Sequence, residues 1–157
     1  MSRNSLLFSI VWLALAFGIY VIVDNIQNPN KAFRLGNKDS VTLKRGLDGH
    51  YRAEAYINNQ KITVLVDTGA TGVAISQSVA NKLGLKSIDA VATSTANGDS
   101  VGYMVRLESV KVGGVEANNV SAMIAPGLDG DVLLGMSYLG RMDVRLYKNE
   151  MTIKQVE

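Results

Sequence analysis

The sequence predicts an all-β domain that is preceded by one apolar N-terminal helix. From about Ser40 onward, short apolar stretches are separated by Gly and Asn turns. Within this region the residues 51–57 alternate between apolar and polar side chains, which is the period of a half-buried strand. Many short strands at regular spacing, with few helices, are typical of a β-barrel or a β-sandwich.

The apolar helix is predicted from residues 6–23, which contain no charged side chain and lie between Arg3 and Asp24. Their number is at the lower end of what spans a bilayer as a helix. A cleaved signal peptide is the alternative, since residues 14–16 (Ala-Leu-Ala) resemble a cleavage site. The apolar run continues to Val23, where a cleaved peptide would turn polar. We therefore expect residues 1–24 to form an uncleaved transmembrane anchor that contacts the lipid bilayer through residues 6–23.

Residues 25–39 are polar and without periodicity, which predicts a linker, and residues 40–157 then form the folded domain. A helix is expected at residues 77–83, because Ser76 is a good N-cap and Gly84 a good C-terminal stop. A long hairpin is expected around residues 96–99, which include an Asn-Gly pair. The predicted strands are residues 41–43, 51–57, 61–66, 91–95, 101–112, 115–124, 131–135, 142–147 and 151–156, with a short helical piece at residues 137–141.

Composition restricts the chemistry available to the chain. Among its 157 residues there is no Cys, so a thiolate nucleophile and a Cys-ligated zinc are excluded. The single His, His50, disfavours His-rich metal sites and a Ser-His-Asp triad within one chain. The acidic segment 129–131 lacks the ligand spacing of a calcium loop. The net charge of +2 gives no electrostatic footprint for nucleic acid. We expect no metal, no cofactor and no nucleic-acid partner.

Asp67 is the best candidate for a reactive group. It ends the apolar run 61–66 and is followed by Thr68 and Gly69. A carboxylate at the end of an apolar strand is costly to bury unless it is hydrogen-bonded, and glycine lets the following backbone turn tightly toward it. Taken alone, the tripeptide favours an ordinary turn over a reactive site.

Three landmarks in this order resemble the retropepsin-like aspartic proteases, in particular their bacterial membrane-anchored members. Asp67-Thr68-Gly69 is similar to the catalytic triplet. Residues 93–103, with Asn97 and Gly98 at the tip, are similar to the flap hairpin that closes over substrate. Residues 132–135, which end in Leu134 and Gly135 and precede a helix, are similar to the apolar element that supports the active-site loop.

The resemblance implies a closed retropepsin-like barrel and the hydrolysis of peptide bonds in polypeptide substrates. Two carboxylates that share one proton are needed, and this chain contains one such triplet, so the implied enzyme is a homodimer with Asp67 of each chain at the two-fold axis. Thr68 would brace the pair across the dimer, Gly69 would donate its N–H to Asp67, and Gly98 would contact the substrate backbone.

Two features of this sequence differ from those of related aspartic proteases. Pepsin-type enzymes have Ser after the triplet, where this chain has Ala70, which cannot donate a hydrogen bond; activity is therefore expected at milder acidity. Viral retropepsins pair an Asp and an Arg at the positions of Thr71 and Met136. Both charges are missing here, so the dimer must be held in another way.

The predicted function is a membrane-anchored, homodimeric aspartic endopeptidase. The alternative is a catalytically silent member of the same fold that serves as a dimerisation or peptide-binding module. The resemblance places the chain in a bacterial inner membrane as a single-pass protein. Arg3 on one side of the apolar run and Lys31 and Arg34 on the other nearly balance the positive-inside count, and a periplasmic protease domain is the expected orientation.

Overall fold

Ten strands in two sheets build the folded domain in the computed structural model, which describes residues 3–28, 30, 39–95, 98–130 and 132–156. The helices are α1 (Arg3–Gln27), α2 (Gln77–Lys82) and α3 (Met136–Leu139). The strands are β1 (Ser40–Lys44), β2 (Tyr51–Ile57), β3 (Gln60–Val66), β4 (Val73–Ser76), β5 (Asp89–Thr95), β6 (Gly98–Val112), β7 (Val115–Ala125), β8 (Val132–Leu134), β9 (Met142–Tyr147) and β10 (Glu150–Gln155).

The larger sheet closes into a six-stranded barrel. Its strands follow the order β2-β3-β8-β4-β7-β6, and β6 pairs back with β2 through Ala55↔Val112 to Ile57↔Val110. The pairings β3–β8 and β4–β7 are parallel, whereas the other pairings of the barrel are antiparallel. The prediction of a closed, all-β barrel is confirmed. Apolar side chains of alternate residues fill its interior, including those of Ile57, Ile75 and Leu107, which are fully buried.

The smaller sheet has the order β1-β10-β9 and packs its buried side chains, among them Leu43 and Ile153, onto the same core. Strand β5 pairs with the outer half of β6, from Asp89↔Met104 to Thr95↔Gly98. Together they form a hairpin that extends beyond the part of β6 that pairs with β7.

Local sequence signals explain several elements. The side chains of β2 alternate between buried and exposed, as the period-two pattern predicts. Helix α2 begins after Ser76, whose hydroxyl accepts from the Val79 N–H at 3.4 Å, and Gly84 follows its end with a φ of +64°. These predictions are confirmed. Strand β4 is an additional strand, and the helical piece expected at residues 137–141 lies at Met136–Leu139.

Helix α1 is longer than the apolar run and continues through Gln27, into the segment expected to be linker. The stretch Leu6–Gln27 is long and apolar enough to cross a membrane as a helix. Its mean hydropathy is 2.6, and no part of it is buried against the protein. A signal sequence meets the same criteria, so both interpretations of this helix stand.

Candidate active site

Asp67 lies where strand β3 leaves the barrel. The parallel register Val66↔Leu134 brings the ends of β3 and β8 together, and the Asp67 N–H donates to the Leu134 carbonyl at 3.0 Å. Because Val66 of β3 and Leu134 of β8 are buried, the backbone of Asp67 is fixed by the core while its side chain is only partly covered. The sequence prediction of a carboxylate at a strand end is confirmed.

The turn after Asp67 folds back onto its carboxylate. The Gly69 N–H donates to Asp67 Oδ1 at 2.8 Å, and the Ala70 N–H lies 3.4 Å from the Asp67 carbonyl. A Cβ at Gly69 would stand 3.2 Å from the same Oδ1, so the close approach favours glycine. Thr68 and Gly69 are exposed on the single chain. The carboxylate is thus oriented by one backbone donor and faces outward.

The segment that follows β8 supports this turn from behind. The Met136 N–H donates to the Ala70 carbonyl at 2.8 Å. Gly135 is buried, and a Cβ there would collide with the carbonyl oxygens of Ala70 and Gly72. Leu134 is fully buried below it. The structure therefore brings the predicted second loop, Leu134 and Gly135, into direct contact with the turn that carries Asp67.

Ser137 is a further residue of this support. Its hydroxyl donates to the Ser121 carbonyl at 2.8 Å and accepts from the Val73 N–H at 2.9 Å. One hydroxyl thereby joins α3, β7 and the start of β4, which follows the Asp67 turn. A serine near the start of a short helix gives no sequence signal for such a bridge, because its partners are distant backbone groups.

The remaining predicted residues near Asp67 lie on its exposed side. Ala70 is half-buried and Thr71 is exposed, while the Met136 side chain, across the support, is also exposed. The Asp–Arg pair of viral relatives is replaced here by a hydroxyl and a thioether. These residues brace the turn through their backbones, by the Ala70–Met136 hydrogen bond, and not by an ion pair.

The β5–β6 hairpin, which is the predicted flap, runs from Asp89↔Met104 to Thr95↔Gly98. Gly98 begins β6 with a φ of +108°, a conformation that glycine adopts readily and L-residues rarely do. Asn97, the other predicted flap residue, lies outside the described residues. At the base of the hairpin a Cβ at Gly102 would collide with the Met123 side chain. Met123 thus packs directly on the flap backbone.

Among the described residues, Asp67 lines none of three surface depressions. These depressions have volumes of about 240 to 310 Å³ and lie elsewhere on the surface. Within the described ranges, no three His, Asp or Glu side chains are grouped so that they could hold a metal ion. The chemistry that the geometry supports is that of an oriented, accessible carboxylate.

Comparison with known proteins shows the family and the fold of this chain. Residues 53–141 match the family model described as "gag-polyprotein putative aspartyl protease". A crystal structure of a retropepsin-like aspartic protease from Rickettsia conorii is 32% identical, covers 74% of this chain and 89% of its own, and superposes with a TM-score of 0.63. The EIAV protease in complex with an inhibitor is 19% identical, covers 60% of this chain and 88% of its own, and has a TM-score of 0.52, a likeness in fold.

Two curated relatives are uncharacterised bacterial proteins. One from Sinorhizobium sp is 32% identical over 111 residues, which cover 68% of this chain and 48% of that protein. One from Rickettsia prowazekii is 38% identical over 104 residues, which cover 64% of this chain and 45% of that protein. The chain thus spans about half the length of the curated relatives it matches.

Proposed function

The chain belongs to the gag-polyprotein aspartyl protease family and has the retropepsin-like fold, and from this premise we propose that it is an aspartic endopeptidase that acts as a homodimer. The observation that carries the proposal is the geometry of Asp67. Its carboxylate is oriented by the Gly69 N–H, on a turn that β8 and Gly135 hold in place, and it faces outward.

The reaction requires two carboxylates with opposite protonation states. One removes a proton from a water molecule held between them, and the other donates a proton to the oxygen of the scissile carbonyl. Two carboxyl groups about 3 Å apart share a single proton, because like charges at that distance cannot both be ionised. One chain supplies one Asp67, and a second copy related by a two-fold axis supplies the other.

The exposed groups around Asp67 favour such a dimer. Thr68 carries a hydroxyl next to the carboxylate on the open side of the turn, where a symmetry-related turn would meet it. In the single chain, Asp67 lines none of the three surface depressions. Two facing turns would enclose the two carboxylates between them. The β5–β6 hairpins, with Gly98 at their tips, would cover the substrate backbone from the opposite side.

The apolar helix supplies the proposed location. We take α1 as an uncleaved anchor in a bacterial inner membrane, with the barrel on the periplasmic side. The 22-residue stretch Leu6–Gln27, with a mean hydropathy of 2.6 and no part buried against the protein, supports a lipid environment. Anchoring would also concentrate the chains in two dimensions and so favour a dimer that lacks the viral ion pair.

Proteolysis by the full-length protein in lipid nanodiscs tests the enzymatic proposal. An unfolded polypeptide substrate is incubated from about pH 3 to about pH 7 at several enzyme concentrations, since a carboxylate dyad is active in mild acid. Wild type should cleave, and Asp67→Asn should not, because an amide can neither share the proton nor act as the base. Asp143→Asn, at an exposed aspartate of β9, is the matched control and should retain wild-type cleavage.

Equal cleavage by wild type and Asp67→Asn would refute the proposal. If neither protein cleaves, while both bind unfolded peptide, the chain is a silent binding module of the same fold. A cleavage rate that rises faster than linearly with the concentration of wild type, at low concentration, indicates that the active species is a dimer.

A further inference from the structure

Asn30 fastens the segment after the N-terminal helix to the barrel. Its side-chain amide donates to the carbonyls of Lys44 (2.8 Å) and Arg52 (2.9 Å), and its side-chain oxygen accepts from the Lys44 N–H (2.8 Å). Only 5% of its surface is exposed. Asn30 therefore bridges β1 and β2 at the place where the two sheets separate, although residues 25–39 read as a plain linker. We call this arrangement the Asn30 clamp.

The clamp lies very close to the end of α1. Asn28 still belongs to the last helical turn, because its N–H donates to the Asp24 carbonyl and its side chain to Asp24 Oδ1, both at 2.9 Å. Two Cα–Cα steps separate Asn28 from Asn30, so the clamp lies within about 8 Å of the helix end. Chain that follows Asn30 comes after the clamp and therefore adds nothing to this reach.

The clamp is also close to Asp67. Arg52, one of its partners, is paired with Leu65 across the β2–β3 ladder, and Asp67 is two residues further along β3. Strand spacing and rise place the Arg52 and Asp67 Cα atoms within about 9 Å of each other. With the Asn30 side chain and its hydrogen bond included, Asp67 lies within about 25 Å of the point where α1 ends.

The turn beside the clamp suits a lipid headgroup region. It joins β1 to β2, and its tip, Leu47, is 87% exposed. Lys44, Arg45 and Arg52 are exposed around it, and Asp48, the acidic residue of the turn, pairs with Arg52. An exposed apolar tip within a net basic turn is complementary to anionic lipid.

We propose that the enzyme acts on juxtamembrane segments, that is, on peptide bonds within about 25 Å of the bilayer in polypeptides anchored in the same membrane. This inference rests on the proposed protease activity and on α1 as a membrane span. The reaction is ordinary hydrolysis: one water is consumed, the C–N bond breaks, and a carboxyl group and an amine are released. The Asn30 clamp sets the distance, because it prevents the residues after it from lengthening the tether.

The experiment uses the full-length protein in nanodiscs that contain phosphatidylglycerol. Two single-span substrates carry the same unfolded cleavable segment, one directly beside the bilayer and one beyond a rigid helical spacer of about 60 Å. A soluble peptide with the same segment reports the activity of the site itself. The near substrate should be cleaved at least about 10-fold faster than the far one, because the tether cannot carry Asp67 to the far segment.

Two insertions of one flexible Gly/Ser segment test the clamp. Placed immediately before Asn30, the segment lengthens the tether and should bring the near-to-far ratio close to one. Placed within residues 31–38, the same segment lies after the clamp and should leave the ratio unchanged. Both insertion variants should cleave the soluble peptide like wild type.

The outcomes separate this inference from the proposed function. If wild type cleaves the soluble peptide, and cleaves the near and far anchored substrates at equal rates, the juxtamembrane inference is overturned. The proposed protease activity is then unaffected. Equal effects of the two insertions overturn the role of the Asn30 clamp. Failure to cleave even the soluble peptide overturns the protease proposal, and this inference with it.

Discussion

Replacing Gly135 by alanine should disable the active site while leaving the barrel folded. The added Cβ would lie 2.6 Å from the Ala70 carbonyl oxygen and 2.9 Å from the Gly72 carbonyl carbon, and closer still to the Gly72 oxygen. Ordinary contact begins at 3.4 Å, so the Ala70 oxygen must move by about 0.8 Å and the Gly72 carbon by about 0.5 Å. They belong to the turn that carries Asp67, and the strain is therefore transmitted to the carboxylate.

The structure allows the size of both effects to be worked out. Overpacking of this kind costs about 1 to 3 kcal/mol in the free energy of unfolding, which for a domain of this size lowers the Tm by about 4 to 12 °C. A displacement of about 1 Å at a catalytic group reduces kcat by about 100-fold. We expect the loss of activity to exceed by far what the unfolded fraction explains at a temperature well below the Tm.

Gly127→Ala is the matched control, because Gly127 is exposed and has nothing within 4 Å of the position of its Cβ. Thermal unfolding and cleavage rates are measured for both variants in the same lipid. If Gly135→Ala retains wild-type kcat and Tm, the contact between the second loop and the Asp67 turn is unimportant and the reasoning is refuted.

Three further substitutions have defined outcomes. Ser137→Ala removes the hydroxyl that accepts from the Val73 N–H and donates to the Ser121 carbonyl. Denaturant unfolding should show that the free energy of unfolding falls by about 1 to 3 kcal/mol, whereas Ser87→Ala, at an exposed serine, should leave it unchanged. Tyr138 is buried, and this burial raises the pKa of its hydroxyl, so the native state holds the proton more tightly than the unfolded chain. The contribution of Tyr138 to stability should be constant below about pH 10 and fall above it, and Tyr138→Phe should reduce the alkaline slope accordingly; an unchanged slope contradicts the assignment. Ala70→Ser restores a hydroxyl beside the carboxylates and should move the pH–rate profile toward lower pH, whereas an unmoved profile shows that the hydroxyl does not reach them.

Local patterns in the sequence were sufficient for much of the fold. The alternation in residues 51–57 predicts β2, and Ser76 with Gly84 predicts α2, because each signal is complete within a few residues. The place of Asp67 at the end of a strand is predicted in the same way, from the apolar run before it, whereas its catalytic role is what the resemblance implies. These features depend on neighbours in the chain.

Features that depend on distant partners could not be predicted. The parallel pairing of β3 with β8 joins residues almost seventy positions apart, and it decides where Asp67 leaves the barrel. Asn30 occurs in a polar stretch without periodicity, and its burial follows from the backbone groups of Lys44 and Arg52, which only the folded sheets bring together. The bridge made by Ser137 could not be predicted for the same reason, because its partners are the backbone groups of Val73 and Ser121.

Mixing active and inactive chains tests most directly whether one active site is built from two copies of Asp67. A fixed amount of wild type is co-reconstituted in vesicles with increasing amounts of Asp67→Asn, and cleavage of a soluble peptide is measured. If each site needs both carboxylates, mixed dimers are inactive, and activity should fall to about one half at equal amounts and to about one tenth at a nine-fold excess of the variant. Activity that stays constant at every ratio would mean that a single Asp67 suffices, and would contradict the proposed mechanism.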